Sequence, residues 1–214
     1  MNRNPLIYSV TRWVARLLLS ACYRIVAEKE GSLPDQGAVI ILPKHQYWTD
    51  IPLVSFVIRP LLYFVAKREL FEYPLVRNYL SFLGGLPVDR QQTLRTLQSF
   101  RCLLSLLRAG EKIVIFPEGT YCRERMGSGR SRLLQMILNI QDELKYKIPF
   151  VPVGIRYGKR VGWRRRVEIR VGHPLFAEKE SDAIFLTHRV MEEIGRLSGL
   201  PNPKGITDCG IRND

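Results

Sequence analysis

Cysteine and histidine are scarce in this 214-residue chain. Four cysteines stand far apart at Cys22, Cys102, Cys122 and Cys209, with no C-x-x-C pair, and there are three histidines. Neither a disulfide framework nor a zinc site follows from that inventory, so no metal is expected and a reducing, cytoplasmic setting is. Long apolar runs are lacking as well. A membrane-spanning helix needs about 20 mostly apolar residues. Residues 5–26 are interrupted by Arg12, Arg16 and Arg24, and residues 51–66 by Arg59 and Pro60, so neither is expected to span. No small-residue cleavage site follows the N-terminal apolar stretch, and no signal peptide is expected there. The sequence has no internal repeat, no low-complexity tract and no linker to a second domain. Acidic residues are in deficit: 33 Lys+Arg against 20 Asp+Glu give a net charge of +13. With 46% hydrophobic residues the chain can still pack a core, which excludes global disorder.

Arginine supplies 24 of the 33 cations. Its planar fork matches phosphate and carboxylate, so the excess points to an anionic partner: nucleic acid, an acidic carrier protein or a phospholipid surface. Residues 121–170 alone hold 13 Lys/Arg and four Asp/Glu, a net +9. Within them GKRVGWRRR (158–166) lies between two strand-like runs and reads as a basic hairpin tip carrying a tryptophan. Such a tip suits an anionic lipid surface, a nucleic-acid patch or plain solvent. At the other end of the chain, Leu6, Val10, Trp13, Val14, Leu17, Leu18 and Ala21 fall at helical spacing. Ser9, Arg12, Arg16, Ser20 and Arg24 line the opposite face. A helix of this kind either lies in a membrane interface or packs its apolar stripe on its own domain.

Short apolar runs at 38–42, 61–66, 84–88, 112–116 and 149–155 read as strands, separated by helical periods at 50–58, 68–83, 91–109 and 130–146, with a last helix at 181–198. That alternation argues for an α/β fold, a mostly parallel or mixed central sheet flanked by helices. The expected organisation is an N-terminal amphipathic helix in 1–30, one α/β domain in 31–200 and a loose tail in 201–214.

Four segments carry chemistry. In PKHQYWTDIP (43–52), His45 and Asp50 are five apart, a spacing that lets them meet only if the chain turns between them. Pro43 closes a strand and Asp50 is a natural N-cap for the helix that Pro52 helps to start. Asp50 could then hold one ring nitrogen of His45 and leave the other as a base, or the pair is a surface histidine beside a helix cap. In IVIFPEGTY (113–121), Glu118, Gly119 and Thr120 follow a buried strand at the edge where open α/β sheets bind ligands. The Gly119 backbone and the Thr120 hydroxyl suit phosphate oxygens, and a turn with a capping glutamate is the plainer alternative. In GGLPVDR (84–90), Arg90 suits a phosphate or a salt bridge to Asp89 or Glu118. In PFVPVGIRY (149–157), Pro152 inside an apolar strand implies a sheet edge or a bulge.

Taken in order, KHQYWTD, GGLPVDR, FPEGTY and FVPVGI resemble the motifs of the glycerolipid acyltransferase family, the 1-acylglycerol-3-phosphate (lysophosphatidate) acyltransferases, and AKREL (66–70) is similar too. The resemblance covers about residues 36 to 157. It implies that His45 is a general base acting on a glycerol hydroxyl, that Asp50 orients it, and that the hydroxyl attacks an acyl thioester without an acyl-enzyme. It also implies that Arg90, Glu118, Gly119 and Thr120 hold the acceptor near its phosphate, that Pro152 shapes the pocket, and that Lys67 supplies a cation near oxyanion or phosphate. Two positions depart from the family pattern. Lys44 stands where Asn is usual before the histidine, and Tyr121 where Arg often follows Glu-Gly-Thr, with Arg123, Arg125 and Arg130 downstream as replacements. The implied partners are a lysophospholipid, acyl-CoA or an acidic acyl carrier protein as co-substrate, and an anionic membrane surface. No further cofactor and no nucleic acid are implied, and the expected place is the cytoplasmic face of the membrane, held peripherally. The alternatives are another acceptor, such as an amino-acid-derived lysolipid or glycerol 3-phosphate, and a basic nucleic-acid-binding protein that leaves His45 and Asp50 without a role.

Overall fold

Asn4 opens the first helix of the protein. In the computed structural model, which describes residues 4–58, 61–88, 96–144 and 146–201, its side chain accepts from the amides of Leu6 (3.0 Å) and Ile7 (3.2 Å). Pro5 follows at a position where a missing N–H costs nothing. This helix, α1 (Pro5–Cys22), ends short of residue 26, because Tyr23–Lys29 departs as strand β1. The chain continues through β2 (Val39–Pro43), α2 (Asp50–Val57), β3 (Leu62–Lys67), a 3-10 turn (Arg68–Phe71), α3 (Pro74–Phe82), β4 (Gly85–Val88) and α4 (Thr96–Arg108). It ends with β5 (Lys112–Val114), α5 (Arg132–Leu144), β6 (Phe150–Val161), β7 (Arg164–Val171) and α6 (Ala183–Ser198). The single helix expected over 68–83 is two pieces, since Pro74 can begin a helix but would break the interior of one. Arg90 and all of the expected tail beyond residue 201 lie outside the described residues.

The seven strands form one sheet in the order β1-β7-β6-β2-β5-β3-β4, parallel at every step except the β6–β7 hairpin. Alternation along β2 sorts the core into two layers. Ile40 and Leu42 face a cluster with Leu103, Leu107, Leu134, Ile137 and Ile194 from α4, α5 and α6. Val39 and Ile41 face another with Leu53, Val54 and Val57 of α2 and Leu19 of α1. Helices thus cover both faces, as a mostly parallel sheet requires. Pro152 is not at an edge: β6 lies between β7 and β2, with Pro152 paired to Leu42. The proline is tolerated because β7 has just ended at Val171; its carbonyl accepts from Gly172 (2.9 Å), and no return bond is needed.

The first helix packs with its apolar stripe outward. Tyr8 and Leu19 are buried, whereas Leu6, Val10, Trp13, Val14, Leu17 and Leu18 are exposed, Trp13 and Leu18 at 64%. Arg12 and Arg16 turn inward: Arg12 reaches the Ile58 carbonyl (3.4 Å), and the Arg16 guanidinium sits 4.7 Å above the Phe56 ring. Next to it, α3 has no buried residue and exposes Leu75 at 85%. No helix among the described residues is long and apolar enough to cross a membrane.

Candidate active site

The site forms at the carboxyl edge of β2, β3, β4 and β5, where loops leave an open α/β sheet. After Pro43 the chain turns and enters α2 at Asp50, and this turn brings His45 Nδ1 to 3.2 Å from Asp50 Oδ2. Thr49 occupies the cap position, so the Asp50 carboxylate is free to close the turn instead. Its Oδ2 accepts from the amides of Gln46 and of Tyr47, the latter at 2.7 Å. Asp50 is fully buried, and the His45 side chain is 12% exposed. The imidazole is held between the rings of Phe116 (centroids 3.9 Å, stacked) and Tyr121 (4.4 Å, tilted).

A second buried pair fixes the backbone of the histidine. Lys44 is fully buried, and its Nζ contacts both oxygens of Glu118 at 2.7 Å and the Cys122 carbonyl at 2.7 Å. Glu118 also accepts from the amides of His45 (3.0 Å) and Gly127 (2.6 Å). Cys122 returns a bond from its amide to the His45 carbonyl (2.9 Å). Both His45 backbone groups are therefore held by the 118–122 loop. The departure at position 44 is explained here: a lysine supplies the charge that a buried Glu118 needs. Burial and then the Glu118 carboxylate push the Cys122 thiol above its ordinary range, which disfavours the nucleophilic thiolate.

A cavity of about 820 Å³ opens from His45. Phe64, Val65, Leu80, Ile115 and Met136 contribute apolar wall, and α1 contributes Tyr8, Thr11 and Ala15. Its charged lining is Arg12, Arg16, Lys67, Arg130 and Arg132; no Asp or Glu is among the described lining residues. Of the residues expected from sequence, Lys67, Gly119 and Thr120 line this cavity with His45, while Glu118 and Pro152 do not. Glu118 is withdrawn into the pair with Lys44, so it holds the histidine loop rather than facing the cavity. Gly119 adopts φ 66°, a left-handed conformation that favours glycine, and its amide is committed to the Phe116 carbonyl (3.0 Å) rather than open to a ligand. Among the three arginines downstream of Tyr121, Arg130 lines the cavity, held by its amide on the Pro117 carbonyl (2.9 Å); Arg123 lies 5.0 Å over the Tyr47 ring instead. Arg12, Arg16 and Arg132 were not legible as site residues, because nothing local in the sequence places them at the mouth of this cavity. Among the described residues no three His, Cys, Asp or Glu side chains gather as a metal-ligand set.

Known proteins resemble this chain in sequence and in fold. The 1-acyl-sn-glycerol-3-phosphate acyltransferase of Bacillus subtilis is 26% identical over 75% of this chain and 78% of its own length. That of Streptococcus pneumoniae is 23% identical over 66% of this chain and 51% of its length. The lyso-ornithine lipid O-acyltransferase of Rhizobium meliloti is 28% identical over 66% of this chain and 44% of its length. This chain therefore spans about half the length of the last two relatives. The crystal structure of the 1-acyl-sn-glycerophosphate (LPA) acyltransferase of Thermotoga maritima has the same fold, with a TM-score of 0.61 over 87% of this chain and 79% of that one at 22% identity. The sequence pattern of the family described as Acyltransferase matches residues 24–156, which run from β1 into β6 and contain the His45–Asp50 turn, so this protein belongs to the Acyltransferase family.

Proposed function

We propose that this protein moves a fatty acyl group from an acyl thioester, acyl-CoA or acyl carrier protein, to the free hydroxyl of lysophosphatidate, giving phosphatidate. The observation that carries the reading is the wall of the cavity. His45, backed by Asp50, opens into an apolar space whose charged lining, among the described residues, is five cations and no carboxylate. The apolar volume suits an acyl chain, the cations suit a phosphate, and the imidazole suits a hydroxyl proton. The names of the B. subtilis and S. pneumoniae relatives agree with that acceptor. A lyso-ornithine acceptor, as in the name of the R. meliloti relative, would bring an ammonium group for which the described lining holds no carboxylate.

The chemistry needs one proton carrier. His45 donates its Nδ1 hydrogen to Asp50, which leaves Nε2 as the basic nitrogen. As the acceptor oxygen attacks the thioester carbonyl, Nε2 takes the hydroxyl proton. The new C–O bond forms, the tetrahedral intermediate collapses, the C–S bond breaks, and the leaving thiolate recovers the proton from Nε2. The imidazole ends as it began and no acyl-enzyme forms. Lys67, Arg130 and Arg132 would bind the acceptor phosphate from the protein side, and Arg12 and Arg16 from α1.

The outward stripe of α1, the exposed face of α3 and Trp48, 70% exposed and lining the same cavity, support a peripheral position on a membrane surface, and the face proposed is the cytoplasmic one. A lysophospholipid could then enter the cavity without leaving the bilayer. The test is acyl transfer from acyl-CoA and from acyl carrier protein to lysophosphatidate and to lyso-ornithine lipid, wild type against His45→Ala. Transfer to lysophosphatidate should dominate and fall by roughly 100- to 10,000-fold in the mutant. Retained activity would discard His45 as the base, and preference for the ornithine lipid would overturn the acceptor.

A further inference from the structure

The Asp50 carboxylate has two oxygens, and its relation to His45 uses one of them. Oδ2 takes the histidine and two backbone amides. Oδ1 is met from β6, where the Tyr157 hydroxyl donates to it at 2.6 Å. That hydroxyl has one proton, so its oxygen is left to accept from Thr49 Oγ1, 2.9 Å away. The phenol ring is itself fixed in place. It stands edge-on to Tyr47 (4.7 Å) and to Tyr23 (6.1 Å), and the Arg165 guanidinium lies 5.2 Å above it. Burial, and then the facing Asp50 carboxylate, push the Tyr157 phenol far above its ordinary range, so at neutral pH it keeps the proton that it donates to Asp50.

We propose that Tyr157 is the positioning residue of the His45–Asp50 dyad: its hydroxyl anchors Oδ1 so that Oδ2 stays aimed at His45 Nδ1. The proposal rests on the reading of His45 as the base. Its physical basis is that a buried carboxylate needs every oxygen satisfied, and Tyr157 is the donor described on Oδ1. Without it, the carboxylate can rotate about its Cβ–Cγ bond in search of other donors, and the imidazole loses the fixed acceptor that sets its tautomer. Tyr157 does not line the cavity that opens from His45; it borders a separate, open pocket with Tyr23 and Arg165, and its link to His45 runs through Asp50.

The experiment compares Tyr157→Phe, Asp50→Asn, the double variant and His45→Ala in the full chain, with lysophosphatidate and acyl-CoA as substrates and circular dichroism as the fold control. The phenylalanine variant should lose roughly 10- to 100-fold in kcat, the kinetic equivalent of one hydrogen bond to a charged group, with both KM values unchanged. The double variant should be no slower than Asp50→Asn alone, because the anchor has nothing left to position. A kcat loss that multiplies in the Asp50→Asn background would overturn the proposal, as would a change confined to KM. An inactive His45→Ala beside an unimpaired Tyr157→Phe overturns the positioning role alone; an active His45→Ala overturns the base assignment and the proposal with it. Should Tyr157→Phe fail to fold, Thr49→Val removes the donor to the phenol instead and should show a smaller kcat loss with the same non-additivity; an additive loss there overturns the proposal equally.

Discussion

Between Lys44 and Glu118 lie seven secondary-structure elements, yet the two side chains meet at 2.7 Å with neither more than 1% exposed. Breaking a buried ion pair by removing one partner leaves an uncompensated charge and costs about 3–5 kcal/mol. Lys44→Met keeps most of the apolar stem and removes the charge, so urea unfolding should show a loss of that size, and kcat should fall because Glu118 also holds the His45 amide. A loss under about 1 kcal/mol would mean that the pair is too weakly coupled to organise the loop. His45 and Asp50 were legible in the sequence because two residues five apart, in an eight-residue stretch bounded by Pro43 and Pro52, form a local problem solved by one turn. The partners of Asp50 and Glu118 were not. Tyr157 comes to Asp50 from 107 residues away and Lys44 to Glu118 from 74. Only the folded sheet, which places β6 and β5 on either side of β2, brings them together.

Helical periodicity located α1, but it could not tell which side of the helix meets the domain. Both orientations satisfy the same spacing, and the tertiary answer is the less usual one, with arginines inward and the apolar stripe outward. Nor could periodicity see that Tyr23–Lys29 belongs to the sheet, because the β-branched Ile25 and Val26 fit a helical stripe as well as an edge strand. The orientation separates the proposed membrane binding from folding. Trp13→Ser, Leu17→Ser and Leu18→Ser change side chains that are each more than half exposed, so thermal unfolding in solution should be nearly unmoved. Each would remove on the order of 1–2 kcal/mol of insertion into a lipid interface. Co-sedimentation with phospholipid vesicles should therefore collapse in the triple variant while its fold persists. Retained vesicle binding would remove α1 from the membrane contact, and a large drop in melting temperature would mean that the stripe packs on the protein in solution.

At the scale of the whole molecule, the alternation of strands and helices gave the layer architecture, but the strand order depends on pairings remote in sequence that no local pattern encodes. One consequence of that order is where the basic hairpin goes. β6 runs parallel to β2, with Val153 beside Pro43, so the residues beyond Tyr157 extend past the same sheet edge that carries His45. β1 begins beside Arg165 and is preceded by the end of α1, which brings the helix to the hairpin. The tip turns at Gly162 and leaves Trp163 71% exposed with the Arg164 guanidinium 4.9 Å above its ring. Arg166, half exposed, is tied to Glu168 (2.8 Å) and Arg165 to the Gly158 carbonyl (3.0 Å), while Lys159, Arg160 and Arg164 are exposed at the tip. On the proposed membrane surface, apolar insertion by α1 and charge attraction by the hairpin would be two signals at one edge of the protein, the arrangement that stable peripheral binding requires. Near an anionic leaflet a basic residue contributes about 1 kcal/mol. Replacing Lys159, Arg160 and Arg164 together by alanine should therefore weaken binding to anionic vesicles by roughly two orders of magnitude at low salt, and by much less at 0.5 M salt, where screening acts within about 4 Å. Binding to neutral vesicles should hardly change, since it depends on α1 and Trp163. An equal loss on both vesicle types would assign these residues to the fold of the hairpin rather than to the field it projects. An unchanged affinity for anionic vesicles would leave the positive charge of this edge for an acidic acyl carrier, whose KM would then rise in the same variant.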